Sequence, residues 1–271
     1  MADLDVLRAR LRVLGRVVVA FSGGSDSALL AWVANDTLGR DAALAFTAVS
    51  ASLAPEERDD CAALAAEWGL RWLPVKTHEL DSLAYAANDG DRCYHCKSEL
   101  MRVAAPVAAE ERATVVLGVN LDDLGDHRPG QQAAAERGAA FPLVDAGFTK
   151  ADVRRLSRAL GLRTWDKPAA ACLASRVPYG TPVTLGVLDT VARAESALRR
   201  LGFRQLRVRH YGELARIELG VDELEAAVQS REAVVAAVRG AGYTYVTIDL
   251  EGFRSGNLNR ALAAEGRGEG S

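Results

Sequence analysis

The stretch VVVAFSGGSDSALL, residues 17–30, decides how this chain is read. It begins inside RVVVAF (16–21), a β-branched run with no polar interruption. Such a run marks a strand buried on both faces of a parallel sheet. A glycine-rich turn follows, Ser22-Gly23-Gly24-Ser25-Asp26-Ser27, and then an apolar helix. Strand, tight turn and helix in that order make a cradle for phosphate. Glycines let the backbone approach an anion closely. The helix start offers free N–H groups and the positive end of its dipole. Ser22 and Ser27 add hydroxyl donors. Asp26 repels bare phosphate, so it makes sense only with a magnesium ion between them. The turn lacks the GKS/T ending of the Walker loop and does not read GxGxxG.

Outward from the turn, strands and helices alternate. A helix over 3–14 precedes the first strand, and AALAFTAVS (42–50) is a second buried strand. PEERDDCAALAAEWGL (55–70) is a helix with Pro55 in its first turn and Gly69 at its end. A third strand is expected near 71–76, a helix over 97–111, a fourth strand at ATVVLGVN (113–120) and a short fifth within 138–147. TKADVRRLSRALGL (149–162) starts with a Thr cap and carries Asp152 three residues on. The pattern predicts an α/β fold with a doubly wound parallel sheet.

After about residue 165 the pattern changes. TWDKPAAACLASRVPYGTPVT has no periodicity and is too long for an ordinary connector, so it reads as a functional loop. A helix (184–201), strands RQLRVRH (204–210) and ELARIEL (213–219), a helix (221–240) and a strand YTYVTIDL (243–250) then make a smaller α+β module. The division expected is 1–165 for nucleotide binding and 166–271 for substrate, with the loop bearing Cys172 at the junction.

Composition excludes several classes. A net charge of −3 disfavours a nucleic-acid partner held by electrostatics. No apolar run is long enough to span a bilayer. MADLDVLRARLRVLGR has no uninterrupted apolar core of the signal-peptide kind. A cytoplasmic protein is expected, and there its four cysteines would bind metal, react or lie inert rather than form disulfides.

LGVNLDDLGDHRPG (117–130) lies at the carboxyl end of the fourth strand, where parallel sheets bind ligands. Its acidic residues, Asp122 foremost, suit magnesium or ribose, and Arg128 suits phosphate charge. The glycine-rich turn resembles the pyrophosphate loop of the PP-loop ATP-binding superfamily. That resemblance implies cleavage of ATP between its α and β phosphates and transfer of AMP to an acceptor oxygen. Taken with GDHRPG, KPAAACLASRVPYG, RVRHYGELARIEL and YVTIDLEGFRSGNLN, the chain resembles the LarE family over about residues 5–260. These are sulfur transferases of nickel-pincer nucleotide synthesis.

The resemblance implies a small nucleotide substrate, pyridinium-3,5-biscarboxylate mononucleotide, whose carboxylate is adenylated and then thiolated. By the family's motifs Cys172 matches the sulfur-bearing cysteine that single-cysteine members sacrifice to dehydroalanine. Ser175, Arg176, Glu195, Arg207 and Arg209 match substrate-site residues. The residue types agree independently, because a phosphate and two carboxylates call for arginine forks. Arg207 and Arg209, two apart on a strand, face one side. Arg176, four residues from Cys172, can favour its thiolate. Cys61, mid-helix among alanines, reads as core.

DRCYHCKSEL (91–100) adds a CxxC pair, Cys93 and Cys96. On the residues alone it is a redox couple, part of a zinc site or a pair of unliganded thiols. A three-cysteine subset of the family resembles this chain. That resemblance implies a [4Fe–4S] cluster on Cys93, Cys96 and Cys172, with one iron open to sulfide or to a sulfur-donor protein's cargo. It also implies a homo-oligomer, a hexamer. Competing readings are an amidating ligase of the NAD or GMP synthetase kind, which would keep its activity without the cysteines, and a cluster-dependent tRNA thiolase, which would bind tRNA. A non-enzymatic nucleotide-binding module would release no pyrophosphate.

Overall fold

The computed structural model describes residues 3–125, 129–168 and 171–254. The chain divides into two compact units, Met1–Tyr85 with Asp91–Ala170, and Ala86–Gly90 with Ala171–Ser271. The crossing at 86–90 places five residues of the amino-terminal half in the second unit, which no local pattern in the sequence signals.

The first unit is an α/β layer structure. Helix α1 (Leu4–Leu14) precedes β1 (Val17–Ala20), α2 (Ser25–Leu38), β2 (Ala43–Val49), α3 (Pro55–Glu67) and β3 (Arg71–Lys76). After short α4 (Leu83–Ala87) come α5 (Arg92–Glu111), β4 (Thr114–Leu117), α6 (Pro129–Glu136), α7 (Pro142–Asp145) and α8 (Lys150–Ala159). The four strands are all parallel in the order β3-β2-β1-β4. Val17 and Val19 pack into a cluster with α1, α2 and α3, while Val18 packs with Met101 and Ala104 of α5 on the other face. Helices cover both faces, the doubly wound arrangement that the unbroken apolar strands predict.

The strand order reverses between β1 and β4. Ligands of open α/β sheets bind outside the carboxyl ends of strands at such a point. The expected fifth strand is absent. Only an isolated bridge joins Val116 to Ala140, and residues 142–145 are helical, started by Pro142. The expected helix over 97–111 begins earlier, at Arg92, so the CxxC pair is helical.

In the second unit α9 (Leu185–Arg200) leads to the hairpin β5 (Leu206–Tyr211) and β6 (Leu214–Leu219). Helices α10 (Leu224–Gln229) and α11 (Arg231–Gly240) then lead to β7 (Tyr245–Ile248), which pairs parallel with β6. The single helix expected over 221–240 is broken at Ser230. Leu206 and Val208 of β5 join Ala215, Ile217 and Leu219 of β6 in a core closed by Leu198, Val234 and Val238. Among the described residues no helix is long and apolar enough to cross a membrane.

Candidate active site

The glycine-rich turn sits at the carboxyl end of β1. Gly23 has φ +70°, a conformation open to glycine and costly to other residues, and a Cβ there would lie 3.0 Å from Cys61 Sγ. Gly24 is the N-cap of α2 and supplies no side-chain hydrogen bond, so no N-cap side chain occupies the helix start. Ser27 Oγ accepts from Ser22 N (3.2 Å), donates to the Gly24 carbonyl (3.1 Å) and lies 3.1 Å from Ser22 Oγ. The two serines therefore brace the turn against itself.

Gly118, one residue beyond β4, was not singled out from sequence. A Cβ on it would lie 2.7 Å from Ser27 N and 2.8 Å from the Asp26 carbonyl carbon. The start of α2 and the end of β4 approach so closely that only a hydrogen fits between them.

Asp26 is held from two sides. Asn120 Nδ2 donates to Oδ1 (3.0 Å), and Lys150 Nζ lies 2.5 Å from Oδ2 and 2.7 Å from Ser25 Oγ. Asp122 closes the loop: its Oδ2 accepts from Lys150 N (2.8 Å), and its own N–H donates to Asn120 Oδ1 (3.0 Å). Asp122 thus orients Lys150 rather than meeting Asp26 directly. Lys150 is the residue that sequence reading missed here. It is the first residue of α8, whose capping box of Thr149 and Asp152 forms as expected, so the signal was present in TKAD. Arg128 lies outside the described residues.

A second lysine borders the turn. Lys167 Nζ donates to Glu57 Oε2 and Asp60 Oδ2, both at 2.7 Å, and lies 3.6 Å from the Cβ position of Gly23. Cys61 is fully buried, and burial pushes its thiol up to about 11. It is a packing residue beneath the turn, not a nucleophile at neutral pH.

Cys93 and Cys96 lie near the start of α5, about one helical turn apart and so on one face. Cys93 is exposed and Cys96 half-buried, and neither is in a disulfide. His95 Nε2 lies 3.1 Å from Asp91 Oδ2, which turns it toward the N-cap residue of its own helix. The pair suits two corners of a thiolate-ligated group, and the third thiol, Cys172, belongs to the other unit. Among the described residues no group of three or more Cys, His, Asp or Glu is placed to hold a metal ion.

In the second unit Cys172 precedes a short 3-10 turn, Leu173–Arg176, and is half-buried with a free thiol. Arg176 grips the loop from behind. Its Nε and Nη2 donate to the two oxygens of Glu195 (2.8 and 3.0 Å), and its Nη1 donates to the carbonyls of Ala171 (2.5 Å) and Cys172 (3.0 Å) and to Ser175 Oγ (3.1 Å). Glu195 also accepts from Arg199 Nη2 (3.2 Å) and Val208 N (3.1 Å). The donors of Arg176 are thus occupied inside the protein.

Arg209 Nη1 donates to the Ser175 carbonyl (2.8 Å) and Nη2 to Glu218 Oε2 (2.7 Å). Arg216 reaches the other oxygen of Glu218 at 3.0 Å. Arg207 is buried, with its guanidinium 4.7 Å over the Phe253 ring. Burial first, and then the charges of Arg176 and Arg209, push it down to about 10. Among the described residues, Arg176 and Arg209 share the surroundings of Arg207 with Glu195 and Glu218.

No model of a known family matches the chain. An uncharacterized protein of Synechocystis sp. is 48% identical over 264 residues, 96% of this chain and 98% of that one. The pyridinium-3,5-bisthiocarboxylic acid mononucleotide synthase of Lactiplantibacillus plantarum is 39% identical over 257 residues, 94% of this chain and 93% of that enzyme. An uncharacterized protein of Methanocaldococcus jannaschii is 26% identical over 241 residues, 89% of this chain and 91% of that one.

Proposed function

We propose a chemistry that starts from one premise: the chain belongs to the LarE family, the family of pyridinium-3,5-bisthiocarboxylic acid mononucleotide synthases. It is then an enzyme of sulfur transfer that makes a thiocarboxylate. The finer reading is ATP-dependent thiolation of pyridinium-3,5-biscarboxylate mononucleotide. A substrate carboxylate oxygen attacks the α-phosphorus of ATP, the acyl–phosphate bond forms, the bond to the β-phosphate oxygen breaks, and pyrophosphate leaves. Hydrosulfide then attacks the acyl carbon. The C–S bond forms, the C–O bond to AMP breaks, and the proton goes to solvent.

The observation that carries the ATP half is the braced turn on an N-terminus that no N-cap side chain occupies, with Asp26 and Lys150 beside it. Its N–H groups suit pyrophosphate. Asp26 keeps a second lone pair on each oxygen, enough for the magnesium ion that accompanies ATP. Lys150 is placed to trade Asp26 for phosphate charge. The observation that supports the substrate half is the grouping of Arg176, Arg207 and Arg209, residues that suit the 5′-phosphate or a carboxylate. Arg207→Met removes the guanidinium and its contact 4.7 Å over the Phe253 ring. It should raise the KM for the mononucleotide by about 10- to 100-fold, the worth of a charged hydrogen bond. An unchanged KM would count against this role.

For the sulfur half we assign Cys93, Cys96 and Cys172 as thiolate ligands of a [4Fe–4S] cluster. When bound, such a cluster supplies an iron open to exogenous sulfide. Cys61, fully buried beneath the turn, is left out of the set. A second reading rests on the half-buried free thiol of Cys172, on a loop that Arg176 pins. There Cys172 sulfur attacks the acyl carbon, AMP leaves, and a base removes the Cα proton as the Cβ–S bond breaks. Thiocarboxylate departs and dehydroalanine stays at position 172.

The test is anaerobic purification with iron and sulfide quantitation, followed by turnover with ATP, substrate and sulfide. Expected are pyrophosphate release dependent on the mononucleotide, a brown protein with near-stoichiometric iron, and an unchanged mass at Cys172 after many turnovers. Iron far below stoichiometry together with dehydroalanine at 172 would replace the cluster by the sacrificial route. No pyrophosphate release would end the transferase reading.

A further inference from the structure

Asn88 stands out in the strap that crosses between units. It is fully buried and has φ +62°, a conformation uncommon outside glycine that asparagine tolerates. Its side-chain Nδ2 donates to the carbonyls of Pro178 (2.7 Å), Thr181 (2.9 Å) and Val177 (3.4 Å). Its own carbonyl accepts from Gly180 N (3.2 Å), and the Ala86 carbonyl accepts from Val183 N (2.8 Å). Ala86 and Asn88 therefore hold the loop 177–183 by backbone and side chain together.

That loop is the continuation of the Cys172 turn. Arg176 grips the carbonyls of residues 171 and 172, and Asn88 grips those of 177, 178 and 181. Between the two grips stand Cys172 and the 3-10 turn after it. Glycine would supply the backbone conformation at position 88 but none of the donors, and alanine neither. Asp91, three residues further on, is the N-cap of α5, which carries Cys93 and Cys96. The short segment that fastens the Cys172 loop thus runs directly into the helix bearing the other two thiols.

We propose that Asn88 is a positioning residue for sulfur transfer: it sets the Cys172 loop by holding three of its carbonyls, and it acts through that loop, not on substrate. The functional half of this statement rests on the sulfur-transferase reading above. The test is Asn88→Gly, which allows the same backbone conformation and removes the side chain with its donors, in the full chain. In metal-free reduced protein, alkylation of Cys172 by iodoacetamide, mapped by mass spectrometry, is expected to accelerate about tenfold while Cys61 stays protected. Sulfur transfer should fall by roughly 100-fold, the cost of a misplaced reacting group. Mononucleotide-dependent pyrophosphate release should stay within about threefold of the parent, because the phosphate turn is untouched.

Alkylation and sulfur transfer both within twofold of the parent would overturn the proposal. So would equal losses in pyrophosphate release and sulfur transfer, which a merely destabilised fold produces. If Asn88→Gly does not fold, hydrogen exchange on the parent protein decides. The Gly180 and Val183 amides should exchange as slowly as those of β5 and β6, and exchange at the rate of exposed amides would overturn the proposal. Absence of pyrophosphate release in the parent would defeat the transferase reading alone, since Cys172 alkylation still reports on Asn88.

Discussion

Gly118→Ala should abolish most ATP turnover while leaving a folded protein. The added methyl carbon would sit 2.7 Å from Ser27 N and 2.8 Å from the Asp26 carbonyl carbon. Both are backbone atoms of the first turn of α2, so no side chain can swing away. The helix start must shift by several tenths of an ångström, and Asp26 shifts with it. Overpacking of this kind costs about 1–3 kcal/mol of stability. The catalytic cost is larger, because a displaced reacting group can lose on the order of 100-fold in rate. Mononucleotide-dependent pyrophosphate release and a thermal melt are the two measurements. Parent-like release would show that the contact between β4 and α2 can relax without consequence. Gly118 lacks the positive φ of Gly23, so only space is at issue, and the result reads out the approach of the two elements.

The second large effect is expected at Glu195. It is fully buried and accepts from Arg176, Arg199 and the Val208 amide. Glu195→Ala leaves the guanidinium of Arg176 buried without its partner, which typically costs about 3–5 kcal/mol. Urea unfolding should show a loss of unfolding free energy of that size. Glu195→Gln keeps one acceptor oxygen and should lose less. The double change Glu195→Leu with Arg176→Met should recover much of the loss, since removing both charges avoids the orphan. A single-variant loss below about 1 kcal/mol would mean that the pair is hydrated in solution. The loop carbonyls that Arg176 holds link this stability effect to Cys172, so sulfur transfer should suffer in the double variant even where stability returns.

The first strand, its turn and α2 were legible because their signals are local: three valines in a row, two glycines, then an apolar helix. The capping box at Thr149 and Asp152 was legible for the same reason. Lys150 and Lys167 were not, because their partners lie 124 residues away at Asp26 and 110 residues away at Glu57. Gly118 looked like an ordinary strand residue, since its reason is a neighbour far off in sequence. The CxxC pair was placed before its helix, whereas the helix starts at Arg92 with Asp91 before it as cap. The short fifth strand failed because Pro142 starts a helix. Asn88 gave no signal at all: its partners are carbonyl groups, and every residue has one.

The strap at 86–90 also sets an order of events on the ribosome. The first unit has all its strands and helices once residue 170 has emerged. The second unit already owns five residues by then, but the carbonyls that Asn88 binds emerge about 90 residues after it. At roughly 5–20 residues per second, that separation is about 5–20 s. During that interval Asn88, buried and left-handed in the finished fold, has none of those acceptors, and the segment leading into the two thiols of α5 is fastened at one end only. Residues made about two thirds of the way along the chain therefore complete the surroundings of a segment made a third of the way along it.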